Sequence, residues 1–321
     1  MNNSAPSPQD KPLITASDIF KAAQRLRQAG LLFPTPLEPL KTLSQDTGAG
    51  ILLKLENLQR KLRGAANKLL ALQERLDSKP HVVTASAGNH GLGVAYAATH
   101  LGITATIVVP LEASPAKVKA LKSYPVELIQ HGAGYEEAES YARQLERERG
   151  LTFVSAYNDL EVIAGQGTLA LEVLNELPEL THLLVPAGGG GLLSGVALFA
   201  KEVNPAIRVI GVQSEASTAL TAAIAAGHLV TTPEYPTLAD GLAGGLEAGT
   251  VTFDLAQQYV DEMVLVSEES IAGAIRFMVD ELHIIAEGSA VVGLAALSSK
   301  SWQPEPGAVV CSLITGRNIA T

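Results

Sequence analysis

The most informative stretch of the sequence reads Val185-Pro186-Ala187-Gly188-Gly189-Gly190-Gly191-Leu192-Leu193-Ser194-Gly195. A short apolar strand pattern leads into four consecutive glycines, and a helical pattern follows them. Glycines let the backbone wrap around a ligand with several N–H groups pointing inward, and the start of a helix attracts anions. A tight strand-to-helix turn, which needs only one or two glycines, is the alternative. Because there are four, we predict a phosphate-binding loop; the missing Lys-Ser/Thr of a P-loop argues against a nucleotide.

The chain on either side of this loop alternates between strand and helix patterns. We predict strands over residues 81–84, 105–109, 126–130, 153–155, 182–185, 208–212 and 308–314. We predict helices over residues 18–29, 89–101, 135–148 and 167–177, and others that begin after Pro115 and Gly191. Such a βαβ series is typical of parallel sheets with right-handed crossovers, and the short apolar strands suit sheets that are covered on both faces. The sequence therefore predicts an α/β protein.

Composition and charge exclude several classes of protein. With 47% hydrophobic residues the chain has enough apolar side chains for a large core, so it is not intrinsically disordered. The net charge of −10 and the lack of a long Lys/Arg-rich run argue against a nucleic acid or a membrane surface as partner. No apolar run reaches the roughly 18 residues of a membrane span. The single cysteine, Cys311, and an N-terminus without a signal-peptide pattern predict a cytoplasmic protein.

A second strand-to-helix junction reads Ser86-Ala87-Gly88-Asn89-His90. Small residues open the backbone beside a helix N-terminus, and Ser86 and Asn89 offer side-chain hydrogen bonds, so the junction suits a carboxylate. An ordinary N-cap at Ser86 or Asn89 is the alternative interpretation. We expect His90 to be a packed or capping residue rather than a catalytic one.

Three further segments carry polar groups of interest. Lys61 lies among basic neighbours, which can lower the pKa of an amine and make it nucleophilic. Lys61, Arg63 and Lys68 equally suit a solvated helix face. Thr315 places a hydroxyl directly after the predicted strand 308–314, and Glu287 begins a polar break between two helical runs.

Taken in order, these segments resemble the fold-type II enzymes that use pyridoxal 5′-phosphate, specifically the branch of threonine/serine dehydratases and serine racemases. The resemblance covers essentially the whole chain. Its marker stretches are Pro34-Thr35-Pro36-Leu37, Lys61-Leu62-Arg63-Gly64-Ala65, Ser86-Ala87-Gly88-Asn89-His90, residues 162–168, the four glycines, and Thr315-Gly316-Arg317-Asn318. The resemblance implies a two-lobed fold like that of tryptophan synthase β, in which three-layer parallel sheets carry helices on both faces. We expect a large cofactor-binding lobe over residues 1–75 and 156–321, and a small substrate-loop lobe over residues 76–155.

The resemblance also implies a role for each motif. Lys61 matches the lysine that bonds covalently to the cofactor aldehyde and later takes the Cα proton. Asn89 matches the residue that hydrogen-bonds the ring 3′-oxygen, Thr315 matches the hydroxyl that faces the pyridine nitrogen, and Glu287 is a further residue expected at the cofactor. The phosphate loop corresponds to Gly188, Gly189, Gly190, Gly191 and Leu192. The loop that binds the substrate carboxylate corresponds to Ser86, Ala87, Gly88, Asn89 and His90.

The hydroxyl at the pyridine nitrogen bears on the reaction. It leaves the nitrogen largely unprotonated, so the ring is a weaker electron sink than it is beside a carboxylate, and prompt loss of a β-hydroxyl competes well with transamination. The resemblance therefore implies β-elimination of L-threonine, L-serine or a related 3-hydroxy amino acid to a 2-oxo acid and ammonia, carried out by a homodimer. The alternatives are an amino-acid racemase, a β-replacement enzyme, and a catalytically impaired homologue that binds the cofactor or an amino acid.

The segment before Lys61 departs from the family pattern. About four residues that the family usually carries there are absent, because Lys61 follows Arg60 directly. Four residues span about 13 Å of extended chain. This departure favours the impaired homologue, and it leaves Lys54 and Lys68 as spare amines.

Two other departures concern the reaction and a metal. Ala87 stands where the racemases carry a proton-transferring serine, and an alanine methyl cannot carry a proton, so this position favours the dehydratase over the racemase. Gln213 and Ala219 stand at the two positions of the carboxylates in the racemase-like metal site. Because a hard divalent cation needs several charged oxygens, we expect no metal.

Overall fold

The computed structural model describes residues 13–59, 62–76 and 79–319, whose strands form two sheets. The six strands of the larger sheet are β1 (Leu37–Pro39), β2 (Gly50–Lys54), β7 (His182–Pro186), β8 (Arg208–Ser214), β9 (Glu262–Val266) and β10 (Val309–Leu313), in the order β1-β2-β10-β7-β8-β9. The four strands of the smaller sheet are β3 (His81–Ala85), β4 (Thr104–Val109), β5 (Glu127–Gln130) and β6 (Thr152–Phe153), in the order β5-β4-β3-β6. Every pairing is parallel except that of β1 with β2 at the edge of the larger sheet.

Helices connect these strands. They are α1 (Ala16–Ala29), α2 (Lys41–Thr47), α3 (Arg63–Arg75), α4 (Asn89–Leu101), α5 (Pro115–Lys122), α6 (Tyr135–Arg149), α7 (Leu160–Glu176), α8 (Gly191–Val203), α9 (Ala219–Ala226), α10 (Val251–Tyr259), α11 (Glu268–Asp280) and α12 (Val292–Ser298). Short 3₁₀ helices cover Glu56–Leu58, Asp240–Leu242 and Gly288–Ala290. Over the described residues, no helix combines the length and the apolar character needed to cross a membrane.

Apolar side chains cover both faces of each sheet. In the larger sheet Leu183 packs with α7 and α8, while the next residue, Leu184, packs with α11 and α12 on the opposite face. In the smaller sheet Val82 packs with α3 and α4, and Val83 packs with α6. Successive strand residues point to opposite faces, so continuous apolar strands are what two covered faces require. The predicted α/β class, with parallel sheets between helices, is confirmed.

Helix α7 differs from its prediction. It begins at Leu160 rather than at residue 167, because the Asp159 side chain caps it by accepting the main-chain N–H groups of Glu161 and Val162 at 2.9 and 3.1 Å. Gly165 and Gly167 lie inside the helix. A Cβ at Gly165 would clash with the backbone of α3, and one at Gly167 would clash with the backbone of α8. These glycines therefore serve close helix packing rather than a break.

The one cysteine is a core residue. Cys311 lies in β10 and is fully buried. Burial raises the pKa of its thiol to about 12. A thiol in this environment stays protonated at neutral pH and is a poor nucleophile.

The carboxyl ends of three strands lead into the segments predicted to bind ligands. Strand β3 leads into Ser86–Gly88 at the start of α4, β7 leads into the glycine loop at the start of α8, and β10 leads into residues 314–318. In parallel α/β sheets, ligands bind in the crevice at the carboxyl ends of the strands. The topology therefore places all three segments where a ligand is expected.

Glu268, at the start of α11, makes the stability of the fold depend on pH. Burial opposes ionisation of its carboxyl group, but hydrogen bonds from the Ser214 and Thr237 hydroxyls and the Leu238 N–H, each 2.6 Å long, hold the pKa of Glu268 below its usual value. A lowered folded-state pKa adds stability that is complete above the ordinary Glu pKa of about 4.3 and is lost as the pH falls through the folded value. We expect Glu268→Gln to lower the free energy of unfolding at neutral pH, by an amount that shrinks on acidification.

Urea unfolding of the parent and the variant, at neutral pH and well below the ordinary Glu pKa, measures this difference. Glu269→Gln is the control, because Glu269 is an exposed neighbour on the same helix turn. A Glu268→Gln penalty of equal size at both pH values would show that the carboxylate charge contributes nothing.

Candidate active site

A large cavity lies between the carboxyl ends of the two sheets. Its volume is about 590 Å³, which is in the range of ordinary small-molecule sites. Its lining includes most of the residues expected at the site, namely Ser86, Ala87, Gly88, Asn89, His90, Gly188, Gly189, Gly190, Gly191, Leu192 and Thr315. The fold thus brings together three motifs from distant parts of the sequence.

The glycine loop leaves no room for side chains. Gly190 has φ 88°, a left-handed conformation that favours glycine, and it forms the N-cap of α8. A Cβ at Gly189 would lie 2.5 Å from the Tyr157 ring, and a Cβ at Gly188 would lie 3.0 Å from the Leu242 backbone. The first N–H groups of α8 have no partner within the helix, so they are available to an anion. This geometry is what a phosphate-binding loop needs.

The Ser86–His90 junction begins α4 without a side-chain cap. Gly88 is the N-cap residue and it provides no side-chain cap for the first turn of the helix, so the alternative interpretation of an N-cap at Ser86 or Asn89 is wrong. Ser86 Oγ instead accepts the Gly88 N–H at 3.2 Å. His90 Nε2 lies 3.1 Å from the Val154 carbonyl, as expected for a packed histidine. The uncapped start of α4 therefore faces the cavity with its N–H groups available.

Thr315 carries a buried hydroxyl at the cavity wall. It is 4% exposed, it lines the cavity, and its Oγ1 has no hydrogen-bond partner among the described residues. An unsatisfied buried polar group costs about 1–3 kcal/mol. The cost is recovered when a ligand supplies the partner, which makes Thr315 a marker of the ligand's position.

Glu287 lies behind the cavity wall. It is buried and is not among the residues that line the cavity. Its Oε1 accepts a hydrogen bond from Asn89 Nδ2 at 2.6 Å, and its Oε2 accepts one from the Asn318 N–H at 2.8 Å. Its contacts are therefore with a residue that lines the cavity, rather than with the cavity itself.

Lys61, the expected nucleophile, lies outside the described residues. The next two residues, Leu62 and Arg63, both line the cavity. Glu56, on the other side of Lys61 in the sequence, accepts two hydrogen bonds from the Arg63 guanidinium, at 2.7 and 2.9 Å. The expectation of a solvated helix face is wrong for Arg63, because its side chain is buried and paired with Glu56.

The two spare amines are engaged elsewhere. Lys54 has no exposed surface and forms ion pairs with Glu172 and Glu176, both at 2.8 Å. Lys68 forms an ion pair with Asp159 at 2.5 Å. Neither lysine borders the cavity. Lys61 thus remains the candidate nucleophile.

Several lining residues were not predicted as site residues. The Tyr157 hydroxyl accepts the Glu247 N–H at 3.0 Å, and burial raises the pKa of Tyr157 to about 12. Burial also raises the pKa of Glu247. At the cavity wall, Lys117 of α5 forms an ion pair with Asp240 at 2.7 Å. Tyr157 and Lys117 belong to no local motif, so only the three-dimensional arrangement identifies them as lining residues.

Neither residue at the two racemase-like metal positions carries a carboxylate. Gln213 Oε1 accepts hydrogen bonds from the Thr221 main chain and hydroxyl at 2.8 and 2.7 Å, and Ala219 is buried. Within residues 13–59, 62–76 and 79–319, no three His, Cys, Asp or Glu residues are grouped so that they could hold a metal ion.

Comparison with known proteins connects this cavity to a cofactor. The family model described as pyridoxal-phosphate dependent enzyme matches residues 29–316. The L-threonine ammonia-lyase of Thermotoga maritima is 42% identical over 311 residues, which cover 96% of this chain and 76% of that protein.

Solved structures show the same fold. Maize serine racemase superposes with a TM-score of 0.89 at 32% identity and covers 96% of this chain and 95% of its own. The threonine deaminase from T.th. superposes with a TM-score of 0.86 at 33% identity and covers 96% of this chain and 99% of its own. With the match over nearly the whole chain and the cavity where the motifs converge, the chain belongs to the fold-type II family of pyridoxal-phosphate dependent enzymes.

Proposed function

We propose that this enzyme dehydrates L-threonine, L-serine or a closely related 3-hydroxy amino acid to an enamine, which hydrolyses to a 2-oxo acid and ammonia. The observation that carries the proposal is the unsatisfied Thr315 hydroxyl on the cavity wall. A hydroxyl is a neutral partner for the ring nitrogen of the cofactor, and this favours loss of a β-substituent over transamination. The relatives named threonine ammonia-lyase and threonine deaminase support the same reaction.

The residues around the cavity fit pyridoxal phosphate. The glycine loop and the start of α8 would bind the phosphate, and Asn89 would donate to the ring 3′-oxygen. The ring nitrogen would accept the Thr315 hydroxyl and so supply the partner that Oγ1 lacks. Lys61 would bond to the aldehyde. When bound, the cofactor supplies an electron-withdrawing ring that stabilises negative charge at the substrate Cα.

The protein's own groups would orient the substrate and move one proton. The N–H groups at the start of α4, in the Ser86–His90 junction, would bind the substrate carboxylate and so fix the direction of the Cα–H bond. Lys61 Nζ would accept the Cα proton as a general base. Tyr157 packs on the glycine loop and would exclude water from its N–H groups.

Ala87 favours elimination over racemisation. It lines the cavity within the Ser86–His90 junction, where its methyl group can neither donate nor accept a proton. Racemisation needs a second group that returns the proton to the opposite face of Cα. The similarity to maize serine racemase therefore supports the shared fold rather than the same reaction at this position.

Incubation with L-threonine tests the proposal. Protein reconstituted with pyridoxal phosphate is expected to develop a visible absorption band and to release 2-oxobutanoate, measured by NADH consumption with a coupled reductase. Chiral chromatography of the remaining amino acid is expected to show no D-threonine or D-allo-threonine. A visible band without 2-oxo acid would overturn the dehydratase and favour the racemase or the impaired homologue.

We also propose that the two sheets are the cores of the two lobes, residues 1–75 with 156–321 and residues 76–155, and that the enzyme is a cytoplasmic homodimer. All four strands of the smaller sheet lie between His81 and Phe153, which supports this division.

The single buried cysteine suits a reducing compartment such as the cytoplasm. Light scattering is expected to give twice the chain mass of 33.5 kDa; the mass of a single chain would contradict the dimer.

A further inference from the structure

Glu287 joins two parts of the cavity wall that belong to different sheets. Its Oε1 accepts a hydrogen bond from Asn89 Nδ2 at 2.6 Å, and Asn89 begins α4, the helix that follows β3 of the smaller sheet. Its Oε2 accepts the Asn318 N–H at 2.8 Å, and its own N–H donates to the Gly316 carbonyl at 3.0 Å, both in the segment after β10 of the larger sheet. One residue thus contacts the segments that carry Asn89 and Thr315.

The fit between Glu287 and the segment after β10 is tight. A Cβ at Gly316 would clash with the Glu287 carboxylate, so the carboxylate packs directly on the main chain next to Thr315. Glu287 is 5% exposed, which leaves water little access to these hydrogen bonds. Hydrogen bonds to a buried charged group are stronger than neutral ones and hold their partners firmly.

The carboxylate also decides which end of the Asn89 amide faces it. An ionised carboxylate only accepts hydrogen bonds, so it must face the NH₂ group of Asn89 and not the carbonyl oxygen. This fixes the rotation of the amide. One N–H points to Glu287, which leaves the second N–H of the same nitrogen as a donor for a ligand in the cavity that Asn89 lines.

We propose that Glu287 is a positioning residue that presents Asn89 as a hydrogen-bond donor, and the Thr315 segment as a hydroxyl partner, to the ring of the bound cofactor. The inference rests on the proposed function only in taking Asn89 and Thr315 as the ring contacts. Glu287 acts through these two residues and makes no contact with the cavity itself.

The test is Glu287→Gln, which keeps the size of the side chain and removes the charge. Glutamine has one acceptor oxygen for two donors, so its NH₂ group must face either Asn89 or the Asn318 N–H. We expect pyridoxal phosphate, titrated into the apoprotein and followed by the visible band, to bind about tenfold more weakly, as for the loss of one charge-assisted hydrogen bond. We also expect the wavelength of the band to shift, because the ring 3′-oxygen loses its fixed donor.

Two further measurements separate positioning from general stability. In the Asn89→Ala background, Glu287→Gln is expected to weaken cofactor binding by a smaller factor than in the parent protein, since one of the two residues through which it acts is gone. Glu127→Gln is the matched control. Glu127 lies on the edge strand β5 away from the cavity, and its carboxylate likewise accepts hydrogen bonds from two donors, Thr106 and Arg149. It is expected to leave affinity and band unchanged.

The outcomes are distinct. Unchanged affinity and band in Glu287→Gln, or full additivity with Asn89→Ala, would overturn the proposal. If Glu287→Gln does not fold, Glu287→Asp, which keeps the charge but is one methylene too short to hold both donors, is expected to weaken cofactor binding in the same direction. Cofactor binding is measured without any amino acid, so failure to dehydrate threonine would reject the proposed function and leave this test intact.

Discussion

Replacing Lys61 with alanine is expected to lower the rate of 2-oxobutanoate formation from L-threonine by roughly 10²–10⁴-fold, as for the loss of a general base, and to abolish the visible band of the bound cofactor. The two other lysines considered for this role are engaged elsewhere. Lys54 is fully buried in ion pairs with Glu172 and Glu176, and Lys68 is paired with Asp159. The coupled reductase assay and an absorption spectrum measure the two effects.

Lys68→Ala is the matched control for Lys61→Ala. It removes a lysine on the neighbouring helix α3 that has its own carboxylate partner and does not line the cavity. Its rate and visible band are expected to stay close to those of the parent. If Lys61→Ala kept the band while Lys68→Ala lost it, the nucleophile would be Lys68, and our assignment would be wrong.

The second large effect is expected from Arg63→Met, which should lower the free energy of unfolding by about 3–5 kcal/mol. Arg63 is 4% exposed and donates to Glu56 at 2.7 and 2.9 Å and to Glu172 at 2.6 Å. The two carboxylates hold the pKa of the guanidinium above its usual value despite the opposing effect of burial. Methionine fills a similar volume but leaves both carboxylates without this partner.

Urea unfolding followed by circular dichroism measures the loss. Arg208→Met is the control, since Arg208 forms an exposed ion pair with Glu262 at 3.1 Å and such pairs contribute about 1 kcal/mol or less. Equal losses in the two variants would mean that the buried network contributes no more than a surface pair. Because Arg63 also lines the cavity, weaker cofactor binding is expected alongside the loss of stability.

Much of the fold could be predicted from local patterns. The strands β3, β4, β7 and β8 and the helices α4, α6 and α8 agree with their predictions to within a few residues, because strand patterns and glycine or proline signals mark their ends. Helix α7 begins earlier than predicted because Asp159 caps it, and the glycines inside it allow close contact with α3 and α8. That contact is between residues far apart in sequence, so no local rule could reveal it.

The site could be predicted only where it is built from contiguous motifs. The glycine loop, the Ser86–His90 junction and Thr315 converge on one cavity as expected, because each follows the carboxyl end of a parallel strand. The position of Glu287 behind Asn89 was not predictable, since it depends on how the two sheets meet. Tyr157 could not be predicted for the same reason; its hydrogen bond with the Glu247 N–H joins residues 90 positions apart.

The buried cysteine has a practical consequence. Since the only thiol of the chain lies in β10 without exposed surface, and its pKa is raised to about 12, the folded protein offers maleimides and similar alkylating reagents nothing to react with. The rate at which Cys311 of the wild-type enzyme is labelled would therefore measure how often the core around β10 opens. A cysteine introduced at any surface position would accept a fluorophore there alone, which makes the natural sequence a ready background for distance measurements between the two sheets.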